Sequence, residues 1–277
     1  MPFRYRICEI MHRNTICYLI LITLLAACAP VVVNAQVIVP NPTASPTITP
    51  TLAPPTITAI PQPTATVAPS CNSFKIMPLG DSITYGEGIV SYGGYRNLLG
   101  ALLQSDGYLF DFVGSQKSGE DALSDADNEG HPGWRIRNLK DAIDSEGWLE
   151  TYQPDLILLH IGSNDLRYGN PVYAADNLSA LLDDILTRLP EVHIIIATII
   201  RTRWGSDVKH LSYNNAIPRI AASKGTRVSV VDMQDVLSKH DFTTLYHPSP
   251  KGYDKMAHAW ESAILALNLE TRCVTHQ

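Results

Sequence analysis

The sequence has no cluster of lysine and arginine residues in its folded part. Its 21 basic residues stand against 27 acidic ones, which gives a formal net charge of −6 at pH 7. A mildly acidic surface offers no electrostatic attraction to a phosphate backbone. Nucleic acid is therefore not expected as a partner. No internal repeat is evident either, so nothing indicates a repeat array.

Charged residues are absent from residues 36–70, where nine prolines and eight threonines occur instead. A segment of this composition cannot build a core, and proline keeps it in extended, polyproline-like conformations. At about 3.1 Å per residue it could hold a domain up to roughly 100 Å from its point of attachment. We expect a disordered Pro/Thr-rich linker that acts as a stalk.

The first 35 residues also lack the pattern of a folded domain. Arg4, Arg6 and Arg13 give a basic start, and Ile16–Ala27 is an uncharged apolar run. Basic residues followed by an apolar run are typical of an export signal. The remainder of the chain is therefore expected outside the cytoplasm, either extracellular or on the cell surface.

Three interpretations of this leader stay open. Leu25–Cys28 resembles the lipobox of bacterial lipoprotein signal peptides, which predicts a lipid anchor at Cys28. Ordinary signal cleavage after the small residue Ala35 is the second interpretation. In the third, Thr15–Ala35 remains as a membrane span, because 21 residues are just long enough. Membrane contact is expected only through this anchor or lipid.

Two cysteines, Cys71 and Cys273, lie outside the leader, just before the first predicted strand and just after the last predicted helix. In an oxidising compartment we expect them to form a disulfide that ties the two ends of the domain together. Two unpaired thiols are the alternative, because a sequence does not reveal geometry.

Hydrophobic residues make up 45% of the chain and are spread over the part that follows residue 72. That is enough for one sizeable core, so we expect a single domain over residues 71–277. Apolar runs of strand length recur at Phe74–Leu79, Leu109–Val113, Leu156–Ile161, Val192–Ile200 and Arg227–Val231. Several are nearly continuous, and helical patterns lie between them. The order predicts a doubly wound, flavodoxin-like α/β sandwich with a central parallel sheet of about five strands.

Polar motifs follow the first three of these strands. They are Gly80–Thr84, Gly114–Ser115 and Gly162–Asp165, while His247 lies in a loop before the final helix. Because the carboxyl ends of parallel strands lie on one rim, where ligands bind, these motifs are expected to converge on one site.

These residues suit acyl transfer, which needs a nucleophile, a base and donors for the oxyanion. Ser82, at a strand-to-helix turn, is the candidate nucleophile, and its own N–H is one donor. His247 is the candidate base, because imidazole titrates near neutral pH. Gly114 N–H and the Asn164 amide are the further candidate donors. No metal or organic cofactor is needed for this chemistry.

The same motifs resemble the sequence blocks of the SGNH (GDSL-like) hydrolases. Leu79–Thr84 is similar to the nucleophile block, Gly114 to the second-block glycine, Gly162–Asp165 to the G-x-N-D block and His247–Pro248 to the histidine block. The four blocks occur in the right order, each at a predicted strand end or loop. The G-x-S-x-G elbow of α/β-hydrolases is absent, which argues against that fold.

A further resemblance points to the acetyl-xylan-esterase-like branch of this family. It rests on Gly93–Arg96, Phe112–Ser115 and Asp127–Trp134. The branch implies that His131 and Trp134 help to line the substrate cleft, to which we also assign Asp81, beside the nucleophile. Trp134 could stack on a sugar ring. The resemblance thus implies small acyl esters, chiefly acetyl, on carbohydrates such as xylan; other small esters are the alternative.

One position departs from the family pattern. The family usually carries Asp three residues before the histidine, and here that residue is Thr244. Three alternatives follow. In the first, Asp241 reaches the imidazole through a changed loop; in the second, Thr244 or a backbone carbonyl orients the ring in a Ser-His dyad; in the third, the site is inactive. A non-catalytic carbohydrate-binding or adhesion protein therefore stays open. So do a lipase or lysophospholipase and an acyltransferase, which would use the same residues.

Calcium is not expected at Asp125–Gly130, although this stretch has the start of a calcium loop. The twelfth position of such a loop needs a bidentate glutamate and here is Ile136.

Overall fold

The computed structural model describes residues 73–203 and 207–269, all within the compact unit Ala65–Gln277. The predictions for the leader, the lipid anchor at Cys28, the stalk and the Cys71–Cys273 disulfide lie outside these residues.

A seven-stranded sheet forms the centre of the domain. Its strands, in chain order, are β1 (Phe74–Gly80), β2 (Phe110–Phe112), β3 (Gln116–Lys117), β4 (Asp127–Gly130), β5 (Leu156–His160), β6 (His193–Ala197) and β7 (Val228–Val231). The spatial order is β3-β4-β1-β5-β6-β7. Two strands share one edge of β1: β2 pairs with its first half and β4 pairs with its second half. All of these pairs are parallel except β3 with β4, which is antiparallel.

Helices cover both faces of the sheet. They are α1 (Ser82–Tyr85), α2 (Arg96–Ser105), α3 (Ile136–Glu146), α4 (Trp148–Tyr152), α5 (Ser163–Tyr168), α6 (Pro171–Arg188), α7 (Asp207–Ser223) and α8 (Pro250–Leu265). In β5, Leu156 and Leu158 pack with α2 and α8, whereas Ile157 and Leu159 pack with α3, α4, α6 and α7. Because both faces are buried, β5 is continuously apolar rather than alternating. No helix within the described ranges is long and apolar enough to cross a membrane.

The predicted α/β fold with a mostly parallel sheet is confirmed, but the strand count is corrected from about five to seven. The five predicted strands appear as β1, β2, β5, β6 and β7, and the fourth ends at Ala197 rather than Ile200. The two additional strands, β3 and β4, have no apolar pattern. Asn128 and Glu129 of β4 are fully buried because their polar atoms are hydrogen-bonded rather than because they are apolar.

Candidate active site

Ser82 is the first residue of α1 and directly follows β1. Asp81 caps this helix, since its Oδ1 accepts a hydrogen bond from Ile83 N at 3.0 Å, and Gly86, with φ of 94°, ends it after one turn. The first N–H group of a helix has no partner within the helix. No acceptor for the Ser82 N–H occurs among the residues that the structure describes. The turn therefore holds the Ser82 hydroxyl beside an amide that is free to bind an anion.

The structure brings the His247 imidazole against this hydroxyl. His247 Nε2 lies 3.0 Å from Ser82 Oγ, although 165 residues separate the two. The loop that carries His247 is closed by backbone hydrogen bonds from Thr243 N to His247 O at 3.0 Å and from Ser249 N to Asp241 O at 2.9 Å. A hydroxyl and an imidazole within hydrogen-bonding reach are the first requirement for an activated nucleophile.

Thr244 occupies the other side of the imidazole. Its Oγ1 lies 3.3 Å from His247 Nδ1 and accepts hydrogen bonds from the backbone N–H groups of Tyr246 and His247, at 3.2 and 3.0 Å. A hydroxyl oxygen has two lone pairs, so these two N–H groups engage both, and the hydroxyl hydrogen is left to donate to Nδ1. This arrangement favours the tautomer whose proton is on Nε2.

Glu87 favours the same tautomer. Its Oε2 lies 3.2 Å from His247 Nε2, the nitrogen that also faces Ser82. A carboxylate only accepts hydrogen bonds, so its charge favours a proton on the ring nitrogen that faces it. Glu87 was not predicted from the sequence. It lies in the loop after α1, and no motif marks it.

Asn164 lies in the first turn of α5, with its side-chain amide oriented by a backbone carbonyl. Asn164 Nδ2 donates to Trp134 O at 2.9 Å, which leaves its second N–H for another acceptor. Gly114 follows β2 and packs against β4 so closely that an added Cβ would lie 2.2 Å from the Asn128 carbonyl. No described residue accepts a hydrogen bond from the Gly114 N–H.

A cavity of about 580 Å³ opens at this rim. Ser82, Asn164, His247 and Glu87 all contribute to its wall, and Gly114 is not among the lining residues. The structure thus places the predicted nucleophile, base and one predicted donor around a single cavity. The remaining wall includes the charged side chains of Arg167, Arg203 and Lys209 and the side chain of Tyr246.

Comparison with known proteins agrees with this geometry. The profile of the GDSL-like Lipase/Acylhydrolase family matches residues 79–255. The chain belongs to this family. The predicted SGNH resemblance is therefore confirmed, and the blocks that carry it all lie within the matched residues.

Relatives of this GDSL-like domain include carbohydrate esterases. A multidomain esterase of Ruminococcus flavefaciens is 31% identical over 219 residues, which are 69% of this chain and 28% of that protein. The solved structure of a family 3 carbohydrate esterase of Clostridium thermocellum is 37% identical, with a TM-score of 0.63 over 72% of this chain and 100% of that one. A family 3 carbohydrate esterase of Talaromyces cellulolyticus is 27% identical, with a TM-score of 0.59 over 70% of this chain and 97% of that one.

Asp241 does not take the position of the acid that the GDSL-like family usually carries. Its Oδ2 accepts hydrogen bonds from Lys255 Nζ at 2.6 Å and from the N and Oγ atoms of Ser238, both at 2.8 Å. These bonds hold the pKa of the Asp241 carboxyl well below its ordinary value, with Lys255 the largest cause. The interpretation that Asp241 orients the imidazole is corrected, because this carboxylate stabilises the loop and Thr244 contacts His247.

The cleft assignments of Asp81, His131 and Trp134 are also corrected, since none of the three lines the cavity. Asp81 is 1% exposed beneath α1. The His131 ring stacks on Trp134, with centroids 3.8 Å apart, and on Trp148, with centroids 4.9 Å apart. The Trp134 ring is engaged in this stack, and the contact of Trp134 with the site is its backbone carbonyl, which accepts from Asn164 Nδ2.

Glu129 is a buried carboxylate that joins the two loops carrying Gly114 and Asn164. One oxygen accepts from Ser115 N at 2.7 Å, and the other lies 2.7 Å from Ser115 Oγ and 2.6 Å from His131 Nε2. Its side chain is completely buried. Through Ser115 it anchors the residue after Gly114, and through His131 it anchors the aromatic stack that holds the carbonyl of Trp134.

Burial shifts the protonation of two groups at the site. Burial lowers the pKa of His247, an effect that the Glu87 carboxylate partly opposes. The imidazole is therefore neutral at pH 7, as a general base must be.

Burial raises the pKa of Asp81 to about 7. The hydrogen bond from Ile83 N opposes this effect, and repulsion from Asp165 and Glu87 adds to it. Asp81 therefore takes up a proton at a higher pH than an ordinary carboxyl.

No group of three or more His, Cys, Asp or Glu residues that could hold a metal ion occurs within residues 73–203 and 207–269.

Proposed function

We propose that this chain hydrolyses small acyl esters, chiefly acetyl esters on carbohydrates, through an acyl-enzyme intermediate on Ser82. The observation that carries the proposal is the contact of 3.0 Å between Ser82 Oγ and His247 Nε2 in the wall of an open cavity that also contains Asn164. The carbohydrate esterases of Clostridium thermocellum and Talaromyces cellulolyticus support the sugar ester as substrate.

The first half of the reaction acylates the serine. His247 first takes the tautomer with its proton on Nδ1, and Ser82 Oγ then attacks the ester carbonyl carbon while the unprotonated Nε2 takes the hydroxyl proton. The carbonyl oxygen becomes an oxyanion, which Ser82 N–H and Asn164 Nδ2 at the cavity wall stabilise, with Gly114 N–H as the third proposed donor. The carbon–oxygen bond to the sugar then breaks, and the sugar oxygen leaves with the proton from His247.

The second half releases the acid. Water attacks the acyl-enzyme carbonyl, His247 takes a proton from the water, and Ser82 Oγ leaves with that proton. The product is a carboxylic acid, and the enzyme returns to its starting state. The chain's own residues supply all the groups that these steps use.

Small acyl groups suit the wall of the cavity. The wall contains Glu87, Arg167 and Lys209, and desolvating such charged groups against a long hydrocarbon chain is costly. We therefore expect rates for p-nitrophenyl esters to fall from acetate to octanoate. The purified chain should also release acetate from acetylated xylo-oligosaccharides, measured by chromatography. Equal or rising rates along the ester series would contradict the proposal in favour of a lipase-type enzyme.

We further propose that the domain works outside the cytoplasm, attached through lipid at Cys28 and held away from the membrane by residues 36–70. The basic and apolar leader and the uncharged Pro/Thr-rich stalk support this arrangement.

The contact between Thr244 and the imidazole leads to a specific prediction about the strength of His247 as a base. Replacing it with aspartate places a carboxylate against Nδ1, which must then carry the proton and leaves Nε2 unprotonated to accept the proton of Ser82. A wrong imidazole tautomer costs serine proteases about 10⁴-fold in kcat, so we expect Thr244→Asp to raise kcat for p-nitrophenyl acetate by about tenfold or more.

The control for this substitution is Thr243→Asp. Residue 243 is exposed in the same loop, and its Oγ1 lies 3.5 Å from Pro248 O rather than beside the imidazole. We expect no gain in kcat from this variant. Similar kinetics for Thr244→Asp and the unmodified chain would show that the tautomer does not limit the reaction.

A further inference from the structure

Positive charge is concentrated on the wall of the cavity. Arg167, Arg203 and Lys209 line it, whereas Glu87 is the only carboxylate residue among the lining residues that the structure describes. The chain as a whole has a net charge of −6, so the excess of positive charge on the cavity wall is opposite in sign to the overall charge. A cleft whose wall has one sign of charge concentrates ligands of the opposite sign.

Lys209 is held in place with one donor to spare. Its Nζ donates to Gly169 O at 2.8 Å and to Leu166 O at 3.2 Å. An ammonium group has three N–H donors, so one remains for a ligand. Both of its described acceptors are neutral carbonyl oxygens, which orient the ammonium group without neutralising its charge.

Arg167 is likewise positioned in advance. Its Cζ lies 4.5 Å from the centre of the Tyr246 ring, a cation–π contact that holds the flat guanidinium beside the residue next to His247. Arg203 is exposed where it lines the cavity. A guanidinium binds a carboxylate through two parallel hydrogen bonds, and an ammonium group binds it as a point charge.

We propose that the cleft takes an acetylated glycan that bears carboxylate groups, with a uronic acid close to the sugar that carries the acetyl ester. This inference rests on the proposed esterase function and adds the charge of the substrate. The acidic sugar lies along Arg167, Lys209 and Arg203, while the ester carbonyl lies at Ser82.

The test compares one substrate in two charge states. Acetylated glucuronoxylan oligosaccharides are assayed beside the same oligosaccharides after chemical reduction of their carboxyl groups to alcohols, with acetate release by the full chain as the readout. We expect kcat/KM about tenfold higher for the acidic form at low ionic strength, equivalent to 1.4 kcal/mol. The ratio should approach one in about 0.5 M NaCl, because salt screens exposed charges.

Lys209→Gln and Arg203→Gln should each lower the ratio of the two kcat/KM values, and the double variant should bring it close to one. Because the ratio compares two substrates of the same variant, a general loss of activity affects both kcat/KM values equally and cancels. The matched control is Arg201→Gln, because Arg201 lies in the same loop but is directed towards Asp207 and Asp235 and does not line the cavity. This variant should keep both the ratio and the basal activity.

Two results overturn the inference, and they are distinguishable. If the reduced oligosaccharide is hydrolysed as well as the acidic one, or the ratio survives both substitutions, the charge preference is wrong and the esterase function stands. If neither oligosaccharide nor p-nitrophenyl acetate is hydrolysed, the esterase function fails, and the inference fails with it.

Discussion

Replacing Ser82 with alanine is expected to lower kcat for p-nitrophenyl acetate by roughly 10⁵-fold or more. Alanine removes the oxygen that forms the acyl-enzyme, and His247 then has no hydroxyl to deprotonate. The backbone N–H of residue 82 and the Asn164 amide remain, so the variant should still bind substrate. We expect KM to change much less than kcat, measured by steady-state kinetics.

The matched control is Ser262→Ala. Ser262 is exposed on α8, where its Oγ donates to His258 O at 2.8 Å, away from the cavity. This variant should retain full activity. Activity that is indifferent to Ser82→Ala would end the proposed mechanism. A chain that is inactive before any substitution, yet binds acetylated glycans, would instead be a carbohydrate-binding protein that has lost catalysis with the acid at position 244.

Replacing Glu129 with alanine is expected to lower kcat by about 10²–10³-fold, the loss typical of one oxyanion donor. Glu129 is not among the residues that line the cavity. Without it, the Ser115 amide and the His131 ring lose their partner, and the segments next to Gly114 and before Asn164 are no longer held. The oxyanion develops only in the transition state, so misplaced donors weaken transition-state binding more than substrate binding. We therefore expect kcat to fall more than KM rises.

Glu129→Gln separates positioning from simple unfolding. Glutamine can accept from Ser115 N and donate to a neutral His131 ring, so it keeps the connection between the two loops. It should therefore restore most of the activity that alanine loses. An exposed residue of α3 provides the control, Glu146→Ala, which should leave kcat unchanged. A Glu129→Ala chain that melts cooperatively and keeps its kcat would show that Glu129 has no part in holding the donors.

Two residues of the proposed reacting centre, Ser82 and Asn164, can be recognised without coordinates because each lies in the first turn of a helix that follows a buried parallel strand. β1 and β5 are apolar runs, and the motifs with Ser82 and Asn164 begin where those runs end. In a parallel sheet such ends share a rim whatever the side chains are. Local pattern and sheet geometry together therefore bring Ser82 and Asn164 to one place, and the family blocks add His247.

The residues around this centre have no such local signal. Glu87 follows a one-turn helix, and Glu129 lies in a strand of polar residues that no alternating pattern marks. Asp241 and Thr244 are both close to His247 in sequence, so spacing alone does not distinguish them. The structure does, because Lys255 and Ser238 engage the Asp241 carboxylate while Thr244 faces the imidazole.

The amino-acid order is sufficient for the α/β class, the parallel sheet and the choice of the proposed nucleophile, base and amide, because all of these depend on contacts that repeat along the chain or on motifs of a few residues. The partner of the imidazole, the buried carboxylate behind the oxyanion donors and the positive wall of the cavity depend on distances between residues far apart in sequence. Those distances are set by how the loops pack on one another, and loop packing follows no periodic pattern. They are therefore known only from the folded chain.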